Sequence, residues 1–415
     1  MKTSKKLWID KFIVGRFARI INLLVIILGK ILRIDHTLNK DFRTIAICKY
    51  KGMGSIIQST PLLNSLRTKF PNAKLIYISS NENLHILNQI SLIDEIILID
   101  DSSFIKLIKS VIPFIYKLYS RKIEIYIDLE VYSNFSTLIT ILSKSVNRMG
   151  YYLNSMHYRL GNYTHMMYFN SRSTISESYL QFARLLGCET NNQLYRLNSD
   201  IQTIQISDSE QLNLVNEKYI LINPNASDLR LERRWRDENF IELILKFSAQ
   251  FEDFKIVLIG SKSESYYVNN LFAKINIGKR LISIAGKTDI LGLIAVIKNA
   301  NLFITNDTGP MHIAFSTVTP TLALFGPCSP VQYGNYFNSY SIYENLYCSP
   351  CVHDFVWPPC KGNNICMKAI KVETVLNKAI KILNNLDNDV MPNMNGMVFH
   401  VDGFTVGTLN RKNII

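Results

Sequence analysis

Two doubly wound α/β units, each a parallel sheet with helices on both faces, are the architecture this sequence predicts, and three observations carry the prediction. Short apolar strand runs alternate with helical patterns through both halves of the chain, which argues for parallel strands joined by crossover helices. The chain has 415 residues, 47% of them hydrophobic and 19% charged, enough for two ordinary cores and too apolar for general disorder. A polar, Asn-rich stretch at 189–200 separates the halves. The reading therefore divides the chain into an arm at 1–40, a first unit at 41–195, a second at 200–383 and a tail at 384–415 to which no role attaches.

In the arm, residues 1–43 hold ten Lys or Arg against three Asp, so over half of the formal net charge of +13 sits in a tenth of the chain. Nucleic acid is a poor partner, because no basic face with stacking aromatics and no module motif is visible. A concentrated basic arm suits an anionic membrane surface. Residues 12–32 are mostly apolar but interrupted by Arg16, Arg19, Asn22 and Lys30, and the uninterrupted run 23–28 falls far short of the ~20 residues that cross a bilayer. Lys2, Lys5 and Lys6 precede it as in a signal peptide, yet no small-residue cleavage site follows Leu28. An interfacial helix is expected, with apolar residues in the acyl boundary and Arg16, Arg19, Lys30 and Arg33 on lipid phosphates. A helix that packs on its own protein is the alternative.

Next, 44–48 reads as a strand, Lys51-Gly52-Met53-Gly54-Ser55 as a turn, and about 60–70 as a helix with Pro61 early in it. Strands at 75–78, 96–99 and 123–129 follow, with helical patterns between them, and a helix at 176–187 stops at Gly187. In the second half, 219–223, 255–259, 302–305 and 321–325 read as strands, and 237–250 and 290–299 as helices. No Gly-x-Gly-x-x-Gly with a downstream acid follows the first strand, which disfavours a nicotinamide or flavin enzyme.

Ligands of open parallel sheets bind beyond the carboxyl ends of the strands, so the turns there carry the chemistry. Thr305-Asn306-Asp307-Thr308-Gly309-Pro310-Met311-His312 reads as strand end, tight turn and helix start, running on to Phe325-Gly326-Pro327-Cys328-Ser329-Pro330. Its helix N-terminus favours an anion, and Asp307, Thr308 and His312 add side chains able to hydrogen-bond a sugar or phosphate. Three more turns reach the same edge: Asn223-Pro224-Asn225-Ala226-Ser227 with Arg233-Arg234-Trp235 after it, Gly260-Ser261-Lys262-Ser263-Glu264, and Ala285-Gly286-Lys287-Thr288-Asp289. The last lacks the upstream glycine of a phosphate-cradling P-loop.

With these residues the chain resembles glycosyltransferase family 9, the heptosyltransferase-like enzymes of lipopolysaccharide synthesis, from about residue 44 to about residue 380. The matching family segments are D-[ST]-G-x-x-H followed by L-F-G-P-x-x-P, N-P-G-A-[ST] followed by [KR]-x-W, a glycine and then a glutamate, and A-G-K-[TS] before a helix. The resemblance implies a GT-B fold, two Rossmann-like domains with parallel sheets facing a central cleft. It further implies an inverting transfer of a sugar, heptose foremost, from an ADP-linked donor to a lipid-linked saccharide of lipopolysaccharide or another cell-surface polysaccharide. No cofactor is expected, and the location implied is peripheral, on the cytoplasmic face of the inner membrane.

Carried onto this chain, the donor would be held by Ser227, Arg233, Arg234, Gly260, Glu264, Asp307, Thr308, Gly309 and His312. Arg234 is placed at the departing diphosphate, where a cation stabilises the transition state more than the ground state. Glu264 can accept the ribose hydroxyls, and Gly260 lets backbone approach the ligand. The plain alternatives stay open: a solvated helix start for the arginine pair, a surface residue for Glu264 and a structural imidazole for His312. The first unit should bind the acceptor and supply the general base. The family has an aspartate directly after a glycine there, whereas this chain has Gly54-Ser55, and a serine hydroxyl is a poor base without an activating partner. Asp128 and Glu130, near the end of the 123–129 strand, are the substitutes. A catalytically silent homologue that binds a nucleotide sugar and scaffolds envelope assembly is the second functional reading. No metal is expected, although Cys348-x2-Cys351-x8-Cys360-x5-Cys366 could hold zinc; reduced thiols in a compact loop are the alternative.

Overall fold

The structure, a computed structural model, describes residues 8–207, 210–226, 230–334, 336–352, 360–385, 400–401 and 404–405. The chain divides into two compact units, Met1–Asn198 and Ser199–Ile415.

In the first unit, six parallel strands run in the order 3-2-1-4-5-6: β1 (Thr44–Cys48), β2 (Lys74–Ser80), β3 (Glu95–Ile99), β4 (Ile125–Asp128), β5 (Asn147–Tyr152) and β6 (His165–Tyr168). Ile45, Ala46, Ile47 and Cys48 are all buried, the continuous apolar run of a strand covered on both faces rather than the alternation of a half-solvated one. β1 pairs with β2 on one side and β4 on the other, Cys48 lying opposite Asp128. The chain winds out to β3 and then returns to β4, so a switch point opens between β1 and β4, the place where such sheets receive ligands. Phe114, Leu118 and Ile139, from the helices Phe104–Ser120 and Asn134–Leu142, pack together against one face through Ala46, Ile76, Ile97 and Tyr126. The helix Ile175–Leu185 starts at a Thr174 cap and is followed by Gly187 at φ +69°, the left-handed stop that the sequence suggests. β5 and β6 were not legible as strands: Asn147-Arg148-Met149-Gly150-Tyr151-Tyr152 shows neither an apolar run nor strict alternation.

The arm forms one π-helical turn, Asp10–Val14, running into the α-helix Gly15–Leu32. It is attached by its polar side. The Asp10 carboxylate accepts the backbone N–H groups of Asn134 (2.9 Å) and Phe135 (2.7 Å), and Asn22 Oδ1 accepts that of Gly161 (2.7 Å). The Arg19 guanidinium, exposed, lies over the Tyr158 ring, 5.5 Å from its centroid. Phe17, Ile20, Leu23, Leu24, Ile27, Leu28 and Ile31 are exposed, so this helix is turned inside out relative to a surface helix of a soluble protein, whose apolar stripe faces the core. The 20 residues Asp10–Gly29 are also long and apolar enough to cross a membrane by length and composition. That departs from the expectation built on the short run 23–28, because a helix average tolerates Arg16 and Arg19. Lys2, Lys5 and Lys6 lie outside the described residues.

The second unit repeats the plan. After an antiparallel ribbon of β7 (Thr203–Ser207) and β8 (Glu210–Asn213), β9 (Tyr219–Asn223), β10 (Lys255–Leu258), β11 (Leu281–Ser283), β12 (Leu302–Asn306), β13 (Thr321–Phe325) and β14 (Ser339–Tyr343) form a parallel sheet in the order 11-10-9-12-13-14. β9 and β12 pair directly, with Asn223 opposite Thr305, and mark the second switch point. The helix Asp237–Gln250 buries Phe240, Leu243, Ile244 and Phe247 on the sheet, and the helix Val372–Leu383 packs beside it through Val375, Leu376 and Ala379. Lys287, in the P-loop-like turn, donates to the Ile206 carbonyl at 2.7 Å and holds the ribbon to the sheet edge. Beyond Asn385, only 400–401 and 404–405 of the tail are described.

Candidate active site at the strand ends

Trp235 organises the second switch point. It is fully buried, its indole N–H donates to the Ile370 carbonyl at 3.0 Å, and its backbone N–H donates to Asn306 Oδ1 at 3.1 Å. A large aromatic fixed at both ends leaves Arg233 and Arg234 no freedom to leave the edge. Arg233 turns to Asp307, Nη1 to Oδ2 at 3.3 Å. Burial opposes its charge, but the Asp307 carboxylate outweighs that and holds the guanidinium above its ordinary value. Arg234 takes another course: it lies 3.9 Å from the centroid of the Tyr267 ring, a cation–π contact, and has no carboxylate partner among the described residues. The Tyr267 hydroxyl donates to Asp237 Oδ1 at 2.6 Å, which fixes the ring under the cation.

An amide network ties the turns together. Asn223 Nδ2 donates to Thr308 Oγ1 (2.8 Å) and Thr305 Oγ1 (3.2 Å), Asn225 Nδ2 to Asn223 Oδ1 (3.0 Å) and the Ile259 carbonyl (2.9 Å), and Asn306 Nδ2 to the Asn225 carbonyl (2.9 Å). The sequence reading quoted these asparagines without assigning them; the signal was their position as the last or next residues of adjacent apolar strands. With its hydroxyl engaged by Asn223, Thr308 makes no side-chain cap at the head of the helix Gly309–Thr317, so that head keeps its affinity for an anion. Gly260 is required by contact: a Cβ there would come within 2.9 Å of both Asn225 Nδ2 and Val268 Cγ2. Glu264 folds back, Oε2 accepting the Ser261 N–H at 2.8 Å, while remaining partly exposed. Ser227 lies outside the described residues.

His312 is buried against Phe315 and Tyr333, and its Nδ1 has no hydrogen-bond partner among the described residues. Burial pushes its pKa down to about 4, with Asp307 opposing and Arg233 reinforcing the shift. The imidazole is therefore neutral at neutral pH, a hydrogen-bonding group rather than a cation. Because the folded state disfavours the proton, the unfolded chain binds more protons between pH 6.5 and 4, and stability is lost as pH falls through that window. Denaturant titrations of wild type and His312→Gln across this range should diverge by roughly 1 kcal/mol per pH unit, the wild type being the more acid-sensitive.

At the first switch point the nominated groups are more constrained. Glu130 bridges the strand ends: Oε2 accepts the Lys49 ammonium at 2.9 Å, and Oε1 accepts the N–H groups of Tyr50 (2.8 Å) and Lys51 (3.1 Å). Burial works against its charge, but Lys49 and those amides hold the carboxyl below its usual range. Asp128 is 0% exposed, and accepts Tyr163 OH at 2.6 Å and the Glu130 N–H at 2.9 Å; burial raises its pKa. Both carboxylates are thus engaged in holding the turn, Asp128 through Tyr163 and the Glu130 N–H, Glu130 through Lys49 and the two amides. Ser55 is partly exposed near the start of the helix Met53–Gln58, beside the buried Gly54 and close to Tyr179. Burial raises the Tyr179 phenol above its ordinary value, so it keeps its proton and supplies Ser55 with no base.

The four cysteines at 348–366 do not form a metal cluster: among the described residues no three His, Cys, Asp or Glu side chains are placed to share an ion, and 353–359 lies outside them. All four are free thiols.

Two parallel α/β units, the second with a cation and an anion-receptive helix head at its switch point, make up the doubly wound α/β class of protein. Residues 114–356 match the model of glycosyltransferase family 9 (heptosyltransferase), and the chain belongs to that family. Among curated relatives, it is 33% identical over 179 residues to lipooligosaccharide heptosyltransferase 2 of Campylobacter jejuni, covering 41% of this chain and 53% of that one; the chain thus spans about half the length of such relatives. Among solved structures, a glycosyltransferase family 9 protein of Veillonella parvula superposes with a TM-score of 0.64 at 20% identity, covering 83% of this chain and 98% of that one. Escherichia coli ADP-heptose lps heptosyltransferase II gives 0.61 at 18%, covering 83% and 99%. At these identities the structural likeness speaks for the fold, the two-unit GT-B architecture.

Proposed function

We propose that this protein is an inverting glycosyltransferase that moves a heptose-type sugar from an ADP-linked donor to a lipid-linked saccharide in lipopolysaccharide synthesis. The observation that carries the reading is Arg234, an arginine held over Tyr267 with no carboxylate partner among the described residues, on the sheet edge that also carries the Gly309 helix head after β12. As the sugar leaves, negative charge grows on the diphosphate, and a preorganised cation with a helix N-terminus answers that growth. Arg233 and Asp307, paired to each other, set the shape of the seat rather than its net charge. Glu264 and Gly260 suit the nucleoside, and His312 serves as a neutral hydrogen-bonding group. The ADP and heptose identities rest on family membership and on the Escherichia coli neighbour named for ADP-heptose.

The first unit is the acceptor-binding part of this reading. With Asp128 and Glu130 committed to the turn, Ser55 is the nominated group left to meet an acceptor hydroxyl, and it acts by orienting that hydroxyl. Ser55→Ala should therefore lower transfer only about 10-fold, short of the 10²–10⁴-fold loss that follows removal of a general base. Ser55→Asp, which restores the family residue, should retain or raise turnover.

In this reading the enzyme works at the membrane, on the cytoplasmic face where nucleotide sugars are made, and the exposed apolar side of the arm supports it. Its outward apolar side chains, with Trp8 near their start, suit the acyl boundary, and Arg16 and Arg33 suit lipid phosphate. Leu24→Glu with Ile27→Glu should shift the protein from the membrane to the soluble fraction. The test of the whole reading is transfer from ADP-heptose to a heptose-deficient glycolipid. Failure with every activated sugar, despite a folded protein, defeats it.

A further inference from the structure

The helix Phe104–Ser120 of the first unit is apolar on two faces, and among the described residues nothing covers one of them. Phe114 and Leu118 are buried against the sheet, with Leu107, Val111 and Ile115 packed beside them. Phe104, Ile105, Ile108, Ile112 and Tyr116 point away, and the last two are 77% and 75% exposed. At 3.6 residues per turn these five fall within about 120° of arc and run roughly 18 Å along the helix. Single exposed apolar residues need no explanation, but a continuous stripe of this kind marks an interaction surface.

Charge identifies the partner. The helix contains Lys106, Lys109 and Lys117 and no Asp or Glu. Lys109 is exposed and borders the apolar stripe; Lys106 and Lys117 lie further round, within 3.9 Å of Asp100 and 3.8 Å of Glu95. An apolar face bordered by the exposed Lys109, on a helix whose own charged residues are all lysines, fits a helix lying in the headgroup region of an anionic bilayer. The same layer of the fold carries the arm: Phe114 and Leu118 pack with Ile139 of the helix Asn134–Leu142, whose first N–H groups are held by Asp10. Two exposed apolar helices thus belong to one side of one unit.

We infer that the Phe104–Ser120 helix is a second membrane-contacting element, through which the first unit itself, and not only its arm, rests on an anionic lipid surface. The inference rests on the membrane reading of the arm and extends it to a different part of the chain. Two contacts fix the orientation of a body on a surface, where one leaves it free to swivel. That would hold the β1 and β4 ends at a set height above the lipid, within reach of a saccharide anchored there.

The experiment uses the full-length protein and sedimentation with vesicles of phosphatidylglycerol and phosphatidylcholine, or of phosphatidylcholine alone. Three variants are compared: Ile108→Glu/Ile112→Glu, Lys106→Gln/Lys109→Gln, and Leu24→Glu/Ile27→Glu in the arm. The Ile pair should weaken partitioning onto the anionic vesicles at least about 10-fold with an unchanged melting temperature, since its side chains are exposed in the protein itself. The Lys pair should reduce the salt-sensitive part of the binding. If the Ile pair partitions like wild type while the arm variant is released, the second contact is refuted and the arm reading stands. If the Ile pair changes the molar mass in light scattering, the face is a contact between copies and the inference is overturned. If wild type itself ignores both kinds of vesicle, the membrane reading and this extension fall together.

Discussion

Replacing Arg234 with alanine should lower sugar transfer by about 10²–10³-fold, the loss that follows removal of one preorganised charge-stabilising group, while the melting temperature stays near that of wild type. The two halves of this expectation have separate physical grounds. Stability around Arg234 comes from Trp235, buried and bonded to Ile370 and Asn306, and from the Phe240 ring 5.1 Å from it, none of which the substitution touches. Catalysis depends on a cation that no carboxylate among the described residues neutralises. Arg234→Lys should recover only part of the rate, because an ammonium keeps the charge but loses the flat stacking over Tyr267 and the fork of donors that matches a phosphate. The decisive reading is the split between kcat and KM. A fall in kcat shows an interaction strengthened in the transition state, whereas a rise in KM alone would mean that donor and transition state are held equally and would remove Arg234 from its assigned role.

The second large effect concerns stability. Glu130→Ala should destabilise the first unit by about 3–5 kcal/mol, the range for breaking a buried ion pair from one side, and lower its melting temperature by on the order of 10 °C. The side chains of Lys49 and Glu130 are only 11% and 12% exposed, so solvent cannot take over the abandoned ammonium. The same change strips acceptors from the N–H groups of Tyr50 and Lys51, which then lack partners within the turn. Pairing Glu130→Leu with Lys49→Met should recover much of the loss, since an apolar pair of similar volume avoids the uncompensated charge. Thermal melts of the two forms provide the check. Equal melting temperatures for wild type and Glu130→Ala would show that Glu130 does not hold the turn.

These two sites differ in how far the sequence revealed them. The edge around Arg234 is built from residues close in sequence to strand ends, and strand ends announce themselves: β9, β12 and β13 are short apolar runs, and each is followed by Asn, Asp, Gly or Pro. Once such runs are taken as parallel strands, their turns must share an edge. The opposite pairing behaviour of Arg233 and Arg234 was not legible, because it depends on Asp307 and Tyr267, which are 74 and 33 residues away from them along the chain. In the first unit the same limit was more severe. Asp128 and Glu130 looked like spare carboxylates near a strand end; their partners Tyr163 and Lys49 come from distant segments and absorb both. β5 and β14 escaped notice because tyrosine, serine and asparagine fill much of them, and burial of such residues follows from tertiary placement, not from an apolar pattern; β6, His165-Met166-Met167-Tyr168, is a short edge strand with no alternation to read. The arm was read correctly as a helix, but two of its polar residues, Asp10 and Asn22, proved to face the protein.

That inward polar face has a practical consequence. Asp10 supplies the acceptor for the first two amides of the helix Asn134–Leu142, which begins just past the end of β4. Anyone who trims the leading segment to gain solubility also takes the acceptor from those two amides, leaving the helix with its Ser133 cap alone, at a penalty of roughly 1 kcal/mol. A sluggish shortened enzyme would then report local fraying as readily as detachment from lipid. Acidic substitutions on the outward side of the arm keep Asp10 in place and separate the two effects.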